Sequence, residues 1–165
     1  VKRVAAIEGQ SRKTREEGCL KSHIKAIEQA KEDGVEFAMI LEDDVEFAEK
    51  FFEKLNEVWI DDFDMLYLNA TDGIFMKPKE FNRNLLKVSE CYGTFGYILN
   101  SRFYDEVLKW LKSESHPVDK VYSMFIQFFK VYKVKKPLVF HRRGVSDIQG
   151  LVPKNYKHLE RGQRV

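Results

Sequence analysis

Apolar residues recur along the chain with two different spacings. From Leu20 to Ala30 they follow the three- and four-residue spacing of one helix face, with His23 on the same stripe, and Gly34 ends the pattern. Phe37–Leu41 is instead an unbroken apolar run of the length of a strand. The pattern therefore predicts a helix followed by a buried strand.

The rest of the chain continues this alternation. Residues 10–17 are polar and predict a loop, and residues 72–92, where the regular pattern is lost, predict a loop with one or two short strands. Further strands and helices are expected where apolar residues recur: strands at Val4–Ile7, Met65–Leu68, Gly93–Asn100 and Val131–Phe140, and helices at Phe47–Val58, Phe103–Leu111 and Val118–Phe129. Strands that alternate with helices favour an α/β layer with largely parallel strands.

Three acids, Glu42, Asp43 and Asp44, come directly after the strand Phe37–Leu41. Ligands of open α/β sheets bind at the carboxyl ends of strands, where these acids are expected. Adjacent carboxylates repel one another unless a cation neutralises them, and hard divalent ions prefer oxygen ligands. The triplet therefore predicts either a metal–phosphate site or a solvated acidic turn that opens the next helix.

A second acidic cluster, Asp61, Asp62 and Asp64, precedes the strand Met65–Leu68. It is therefore expected at the opposite edge of the sheet, where we interpret it as a solvated turn.

Composition and charge narrow the function classes. The 165 residues suffice for one domain, and no apolar run approaches the roughly 20 residues of a membrane-spanning helix. Net charge is +2, but residues 128–165 carry ten basic and two acidic side chains. This segment suits a phosphate, a nucleic acid or a membrane surface, or is a solvated tail. Cys19 and Cys91 lack the spacing of a metal-binding pair, which leaves two free thiols or one disulfide.

Several short motifs occur together in one order. Gly18–Ile24 and Ile40–Val45 are followed by Gly93–Ile98, Pro117–Asp119 and Ser146–Ile148. In this combination the chain resembles glycosyltransferase family 25, the lipopolysaccharide-biosynthesis and collagen-galactosyltransferase family. The resemblance covers residues 4–148.

The resemblance implies a GT-A-type fold, a Rossmann-like mixed sheet flanked by helices, for residues 1–148, with a basic tail at 149–165. It implies inverting transfer of a hexose such as galactose from a nucleotide sugar, foremost a UDP-sugar, to a hydroxyl on a glycan or glycosylated acceptor. The expected cofactor is Mn²⁺ or Mg²⁺. The expected location is the cytoplasm, at the membrane surface where the basic tail reaches it, and no nucleic acid is expected.

The resemblance also implies roles for individual residues. The metal ligands are expected among Glu42, Asp43, Asp44 and the late His141. Asp119 is the expected general base, since the dipole at its helix start keeps a carboxylate ionised; the alternative is an acid that only stabilises that helix. Donor and acceptor contacts are expected from Ser22, His23, Gly93, Thr94, Gly96, Tyr97, Arg142, Ser146 and Asp147.

Structural alternatives stay open for several of these residues. His23 also fits a buried core histidine, Tyr97 a core aromatic, and Gly93 and Gly96 a bulge. The chain also opens without the first strand that is usual in the family, so it is either truncated or lacks part of the nucleotide pocket. The alternatives to a transferase are a non-catalytic module of the same fold and a metal-dependent phosphohydrolase.

Overall fold

The computed structural model describes residues 2–7 and 10–141, so the predicted tail at 149–165 lies outside the described residues. The described helices are α1 (Arg12–Glu32), α2 (Phe51–Val58), α3 (Tyr104–Ser113) and α4 (Val118–Phe125). The described strands are β1 (Phe37–Leu41), β2 (Val45–Phe47), β3 (Met65–Asp72), β4 (Lys79–Glu80), β5 (Leu85–Lys87), β6 (Cys91–Asn100), β7 (Val131–Val134) and β8 (Val139–His141). The expected late and short strands are thus confirmed.

The main sheet has six strands in the order β1-β6-β3-β7-β5-β4, and β2 pairs with β8 in a small second sheet. Only β3 and β7 pair in parallel among these neighbours, so the expected largely parallel pairing is wrong. The mixed α/β sheet flanked by helices is confirmed. Because β6 runs antiparallel to both β1 and β3, the carboxyl ends of β1 and β3 meet the beginning of β6 at one edge.

Both faces of the sheet are covered, which explains the uninterrupted apolar run in β3. Met65 and Tyr67 pack in the core formed with α1, α3 and α4. Leu66 and Leu68 point the other way, into the core formed with α2 and β8. All four side chains are at most 1% exposed. Successive side chains of β3 therefore pack alternately into the two cores, one on each face of the sheet.

Helix α1 is longer than its apolar stripe predicts. Ser11 caps it in a capping box with Thr14, and the helix begins at Arg12 within the segment that was expected to be a loop. The first turns lie largely at the surface and so carry no apolar stripe. Gly34, with φ of +65°, follows the end of the helix as predicted.

The expected strand at Val4–Ile7 is wrong. Residues 2–7 have no regular secondary structure, and Ile7 is 41% exposed. The segment is held to α1 instead, because Ile7 N–H donates to Ser22 Oγ at 3.1 Å and Lys2 pairs with Asp33. Its two alanines bury little apolar surface, which gives the segment no strong reason to join the sheet.

One element boundary also differs from the expectation, because Phe47 belongs to β2 rather than to α2. Before α3, Asn100 caps a short turn by accepting from Arg102 N–H at 3.1 Å. Within the described ranges, no helix has the length and apolar content needed to cross a membrane.

Candidate functional site

Of the three adjacent acids, Glu42 and Asp44 contact other predicted site residues, whereas Asp43 faces solvent. Glu42 N–H donates to Phe95 O at 3.0 Å, which extends the pairing of β1 with β6 by one residue. The Glu42 side chain accepts from Thr94 Oγ1 at 2.8 Å, and the same oxygen lies 3.9 Å from His23 Nε2. Asp43 is exposed to solvent. Thr94, which a sequence motif singled out, therefore positions one of the acids.

Asp44 and His141 form a pair where the small sheet begins. The pairing of β2 with β8 sets Val45 opposite His141, and His141 Nε2 lies 2.8 Å from Asp44 Oδ2. The other oxygen, Asp44 Oδ1, is buried and has no hydrogen-bond partner among the described residues. A buried acceptor without a donor beside an imidazole suits a cation, so these residues fit a divalent metal.

Asp119 lies at the start of α4 and faces the same edge of the sheet. Its Oδ2 accepts from Gly93 N–H at 3.4 Å, and its Oδ1 accepts from Lys120 N–H at 2.8 Å. Burial raises the pKa of Asp119 and the charge of Glu42 raises it further, whereas the two backbone hydrogen bonds lower it. The net effect is a raised pKa, so burial outweighs the helix-start effect expected from the sequence.

Cys19, on α1, lies beside one of these acids, because its Sγ and a Glu42 oxygen are within 4.8 Å of one another. Burial, and then the charges of Glu42, Asp119 and Asp44, raise the pKa of the Cys19 thiol to about 12. The charges of carboxylates from two other segments, the β1–β2 connection and α4, therefore act on one thiol of α1. Sequence reasoning did not assign Cys19 a role; its four-residue spacing from His23, on the same helix face, was the available signal.

His23 is held by a buried pair of tyrosines. Its Nδ1 lies 2.6 Å from the Tyr97 hydroxyl, which accepts from the Tyr122 hydroxyl at 3.0 Å. Tyr97 is 0% exposed, which favours the core aromatic over a direct contact with an acceptor. Its role is instead to orient His23, whose ring is 5% exposed and reaches toward Glu42 with Nε2.

Gly96 serves packing. A Cβ at this position would lie 2.9 Å from Val139 Cγ2 and 3.0 Å from Leu41 Cδ2, and Gly96 pairs with Asn69 at a register shift of the β3–β6 ladder. Of the two interpretations open from the sequence, the bulge is the one that the structure supports. No room for a sugar remains at its Cα.

The remaining predicted contact residues do not reach this cluster or are not described. Ser22 Oγ donates to Gly18 O at 2.8 Å and accepts from Ile7 N–H, so it fastens the N-terminal segment to α1. Arg142, Ser146 and Asp147 lie outside the described residues.

The second acidic cluster lies at the opposite edge, as predicted, but it is not merely solvated. Asp62 and Asp64 both pair with Arg102, at 2.9 and 2.7 Å, and Lys130 also contacts both acids. Asp62 and Asp64 therefore have cationic partners within the protein, in contrast to Asp44 Oδ1, and Asp61 accepts from Trp59 Nε1 at 3.1 Å.

The backbone N–H of Gly93 faces Asp119. We expect Gly93→Ala to lower the free energy of unfolding by about 2–4 kcal/mol. Its φ is +90°, and a Cβ would lie 2.7 Å from the Phe95 ring. Gly34→Ala is the matched control, since Gly34 also has positive φ but nothing within 4 Å of a Cβ. We expect it to cost only about 1–2 kcal/mol. Urea denaturation measures both, and equal losses would contradict the close-packing argument.

Comparison with known proteins agrees with the motifs. The model of glycosyltransferase family 25 (LPS biosynthesis protein) matches residues 10–122, more than half of the chain, which confirms the resemblance. The matched span includes Cys19, His23, the acidic triplet and Asp119. No curated protein matches the chain significantly.

Proposed function

The chain belongs to glycosyltransferase family 25, and from this premise we propose that it transfers a hexose from a nucleoside-diphosphate sugar to a hydroxyl of a glycan acceptor. Membership of this family supports glycosyltransferase activity for the chain. A GT-A type of fold, a UDP-sugar donor, dependence on Mn²⁺ or Mg²⁺ and inversion are our proposals.

The observation that carries the proposal is that Glu42 and Asp119 bind the neighbouring residues Thr94 and Gly93 of β6, with Asp44 two residues beyond Glu42. Asp44 Oδ1 is a buried acceptor without a partner among the described residues, and His141 lies beside it. Asp44 and His141, with Glu42 nearby, would hold a divalent ion. Such an ion, when bound, supplies positive charge that offsets the charge developing on the leaving diphosphate.

Asp119 is the proposed general base. A carboxylate with a raised pKa is a stronger base than an ordinary one, and it acts as a base in its ionised form. In the proposed reaction, Asp119 takes the proton of the acceptor hydroxyl while that oxygen attacks the anomeric carbon. The bond from the anomeric carbon to the diphosphate breaks at the same time, and a single displacement of this kind inverts the configuration.

The protein fixes Asp119 from two sides. Lys120 N–H and Gly93 N–H bind separate oxygens of its carboxylate. The positive φ of Gly93 turns the backbone so that its N–H faces Asp119. The next residue, Thr94, donates to Glu42. The beginning of β6 thus connects the proposed base to the proposed cation ligands.

A panel of nucleotide sugars tests the function with the full chain. We expect one donor to bind and to release nucleoside diphosphate with Mn²⁺ present, and chelator to abolish the release. Calorimetry measures donor binding and a coupled assay measures release. If no donor binds or turns over at any metal concentration, the transferase proposal is wrong and a non-catalytic module of this fold becomes the better interpretation.

A further inference from the structure

A second group of metal ligands adjoins the proposed donor site. Among the described residues, Cys19 Sγ, a ring nitrogen of His23 and a carboxylate oxygen of Glu42 lie within 4.8 Å of one another. Cys19 and His23 are one turn apart on α1, and Glu42 follows the last residue of β1. Two regular elements therefore hold three ligands that face one another.

The donor set differs in chemistry from the oxygen-rich site expected for Mn²⁺ or Mg²⁺. Thiolate, imidazole and carboxylate together are ligands of zinc, whereas magnesium and manganese prefer oxygen. We propose that Cys19, His23 and Glu42 form a zinc site, in which a water molecule completes a tetrahedral shell. Three protein ligands with one open position are sufficient for exchangeable zinc.

The distances require little movement. Bonds of about 2.0–2.3 Å to a tetrahedral zinc set the ligand atoms about 3.3–3.8 Å apart. His23 Nε2 and Glu42 Oε1 are already 3.9 Å apart, and no pair in the group exceeds 4.8 Å. A shift of about 1 Å by the Cys19 or Glu42 side chain closes the site, and Glu42 is 27% exposed, which gives the ion a path from solvent.

The environment of His23 supports ligation through Nε2. A metal-bound imidazole donates through its other nitrogen, and Nδ1 of His23 faces the Tyr97 hydroxyl at 2.6 Å. With Nδ1 protonated, the Tyr97 oxygen accepts from His23 beside the hydrogen bond that it already accepts from the Tyr122 hydroxyl at 3.0 Å, since a phenol oxygen has two lone pairs.

The surrounding charge also favours a dication. Glu42, Asp119 and Asp44 lie near enough to Cys19 to oppose its ionisation, and the same negative charge attracts Zn²⁺. Zinc binding displaces the thiol proton to solvent, so one Zn–S bond forms as the S–H bond breaks.

The site has a regulatory consequence that rests on the proposed function. Glu42 is a ligand of this zinc site and lies two residues before Asp44, so bound zinc occupies a carboxylate that the proposed donor site would otherwise have nearby. Bound zinc also places positive charge next to Asp119, which weakens it as a base. Zinc is therefore expected to inhibit sugar transfer even with Mn²⁺ in excess.

Cobalt is the spectroscopic substitute for zinc, and it reports the thiolate directly. We expect Co²⁺ added to the full chain, without nucleotide sugar, to give a thiolate-to-cobalt charge-transfer band that Zn²⁺ removes. The band should persist in Cys91→Ser and be absent from Cys19→Ser. Cys91→Ser is the matched control because it removes the other free thiol, which is buried, whereas Cys19 is half-buried. No band in the wild type, or an unchanged band in Cys19→Ser, would overturn the site.

A second measurement needs no variant and covers the case in which Cys19→Ser does not fold. Alkylation of the wild-type thiols, mapped by mass spectrometry, should be slower at Cys19 with Zn²⁺ than with Mg²⁺. Equal alkylation of Cys19 in both metals would again overturn the site.

Inhibition of donor turnover by zinc tests the regulatory proposal separately from the existence of the zinc site. For each protein, donor turnover with zinc is divided by the turnover of the same protein without zinc. The zinc concentration that halves this ratio should be about 100-fold or more higher for Cys19→Ser than for the wild type. Equal inhibition of both proteins would overturn the regulatory part. If no donor is turned over at all, the proposed function fails, while the cobalt band still decides whether the site exists.

Discussion

Replacing Asp44 by asparagine is expected to lower metal-dependent donor turnover by about 10²- to 10³-fold while the protein stays folded. Asp44 Oδ1 is a buried acceptor without a partner among the described residues, and Oδ2 contacts His141 Nε2. Asparagine keeps the shape but removes the negative charge that a cation needs. Turnover at increasing Mn²⁺ concentration measures the loss, and the half-saturating Mn²⁺ concentration should rise as well.

Two further acids make this prediction specific. Asp43→Asn should have a smaller effect than Asp44→Asn, because Asp43 is exposed. Asp62→Asn is the matched control at the opposite edge of the sheet, where Asp62 pairs with Arg102 and Lys130, and its turnover should equal that of the wild type. Thermal unfolding of all three variants verifies the fold. If Asp43→Asn proves the most damaging, the assignment of Asp44 is wrong.

Asp119→Asn is expected to reduce turnover by about 10²- to 10⁴-fold, the contribution typical of a positioned general base. The loss should fall on turnover more than on donor binding, because the base acts on the acceptor. Asp105→Asn is the matched control: Asp105 lies in the first turn of α3 and pairs with Lys31 at the surface. If both substitutions leave turnover unchanged, Asp119 is only an acid that opens its helix.

The raised pKa of Asp119 gives this prediction a dependence on pH. Turnover needs the ionised carboxylate, so activity should fall on the acid side with a midpoint above the ordinary aspartate value near 3.8. The contribution of this group to folding stability depends on pH in the opposite direction. The folded protein holds this proton more tightly than the unfolded chain, so its stabilising contribution is complete below the unfolded pKa and is lost as pH rises through the folded pKa.

The same linkage separates catalysis from stability in Asp119→Asn. Ionised Asp119 lowers the stability of the wild type at neutral pH, and asparagine removes that charge. Asparagine also replaces one carboxylate oxygen by an NH₂ group that cannot accept from Gly93 N–H or Lys120 N–H, a loss of about 1–3 kcal/mol that opposes the gain, so the variant should stay folded at pH 7 despite its low turnover. A large loss of stability at pH 7 would assign Asp119 a structural role instead.

Local pattern was enough to predict most elements and the place of the acids. The apolar run before Glu42 predicted a buried strand with carboxylates at its end, and Phe37–Leu41 is that strand. The helix on the Leu20–Ala30 stripe and its end before Gly34 also follow from spacing and backbone preference. Val4–Ile7 was the exception, because four apolar residues do not by themselves select a partner strand.

By itself, the sequence determined the mixed helix and strand content, the family and the position of the acidic triplet, since each depends on residues that are close along the chain. Only the tertiary structure decided which side chains face the site. The insertion of the antiparallel strand β6 between β1 and β3 sets Thr94 against Glu42 and directs Gly93 N–H to Asp119. The packing of α1 against the sheet then places Cys19 and His23 beside Glu42. Such contacts join residues tens of positions apart, so the spacing of residues along the chain carries no signal for them.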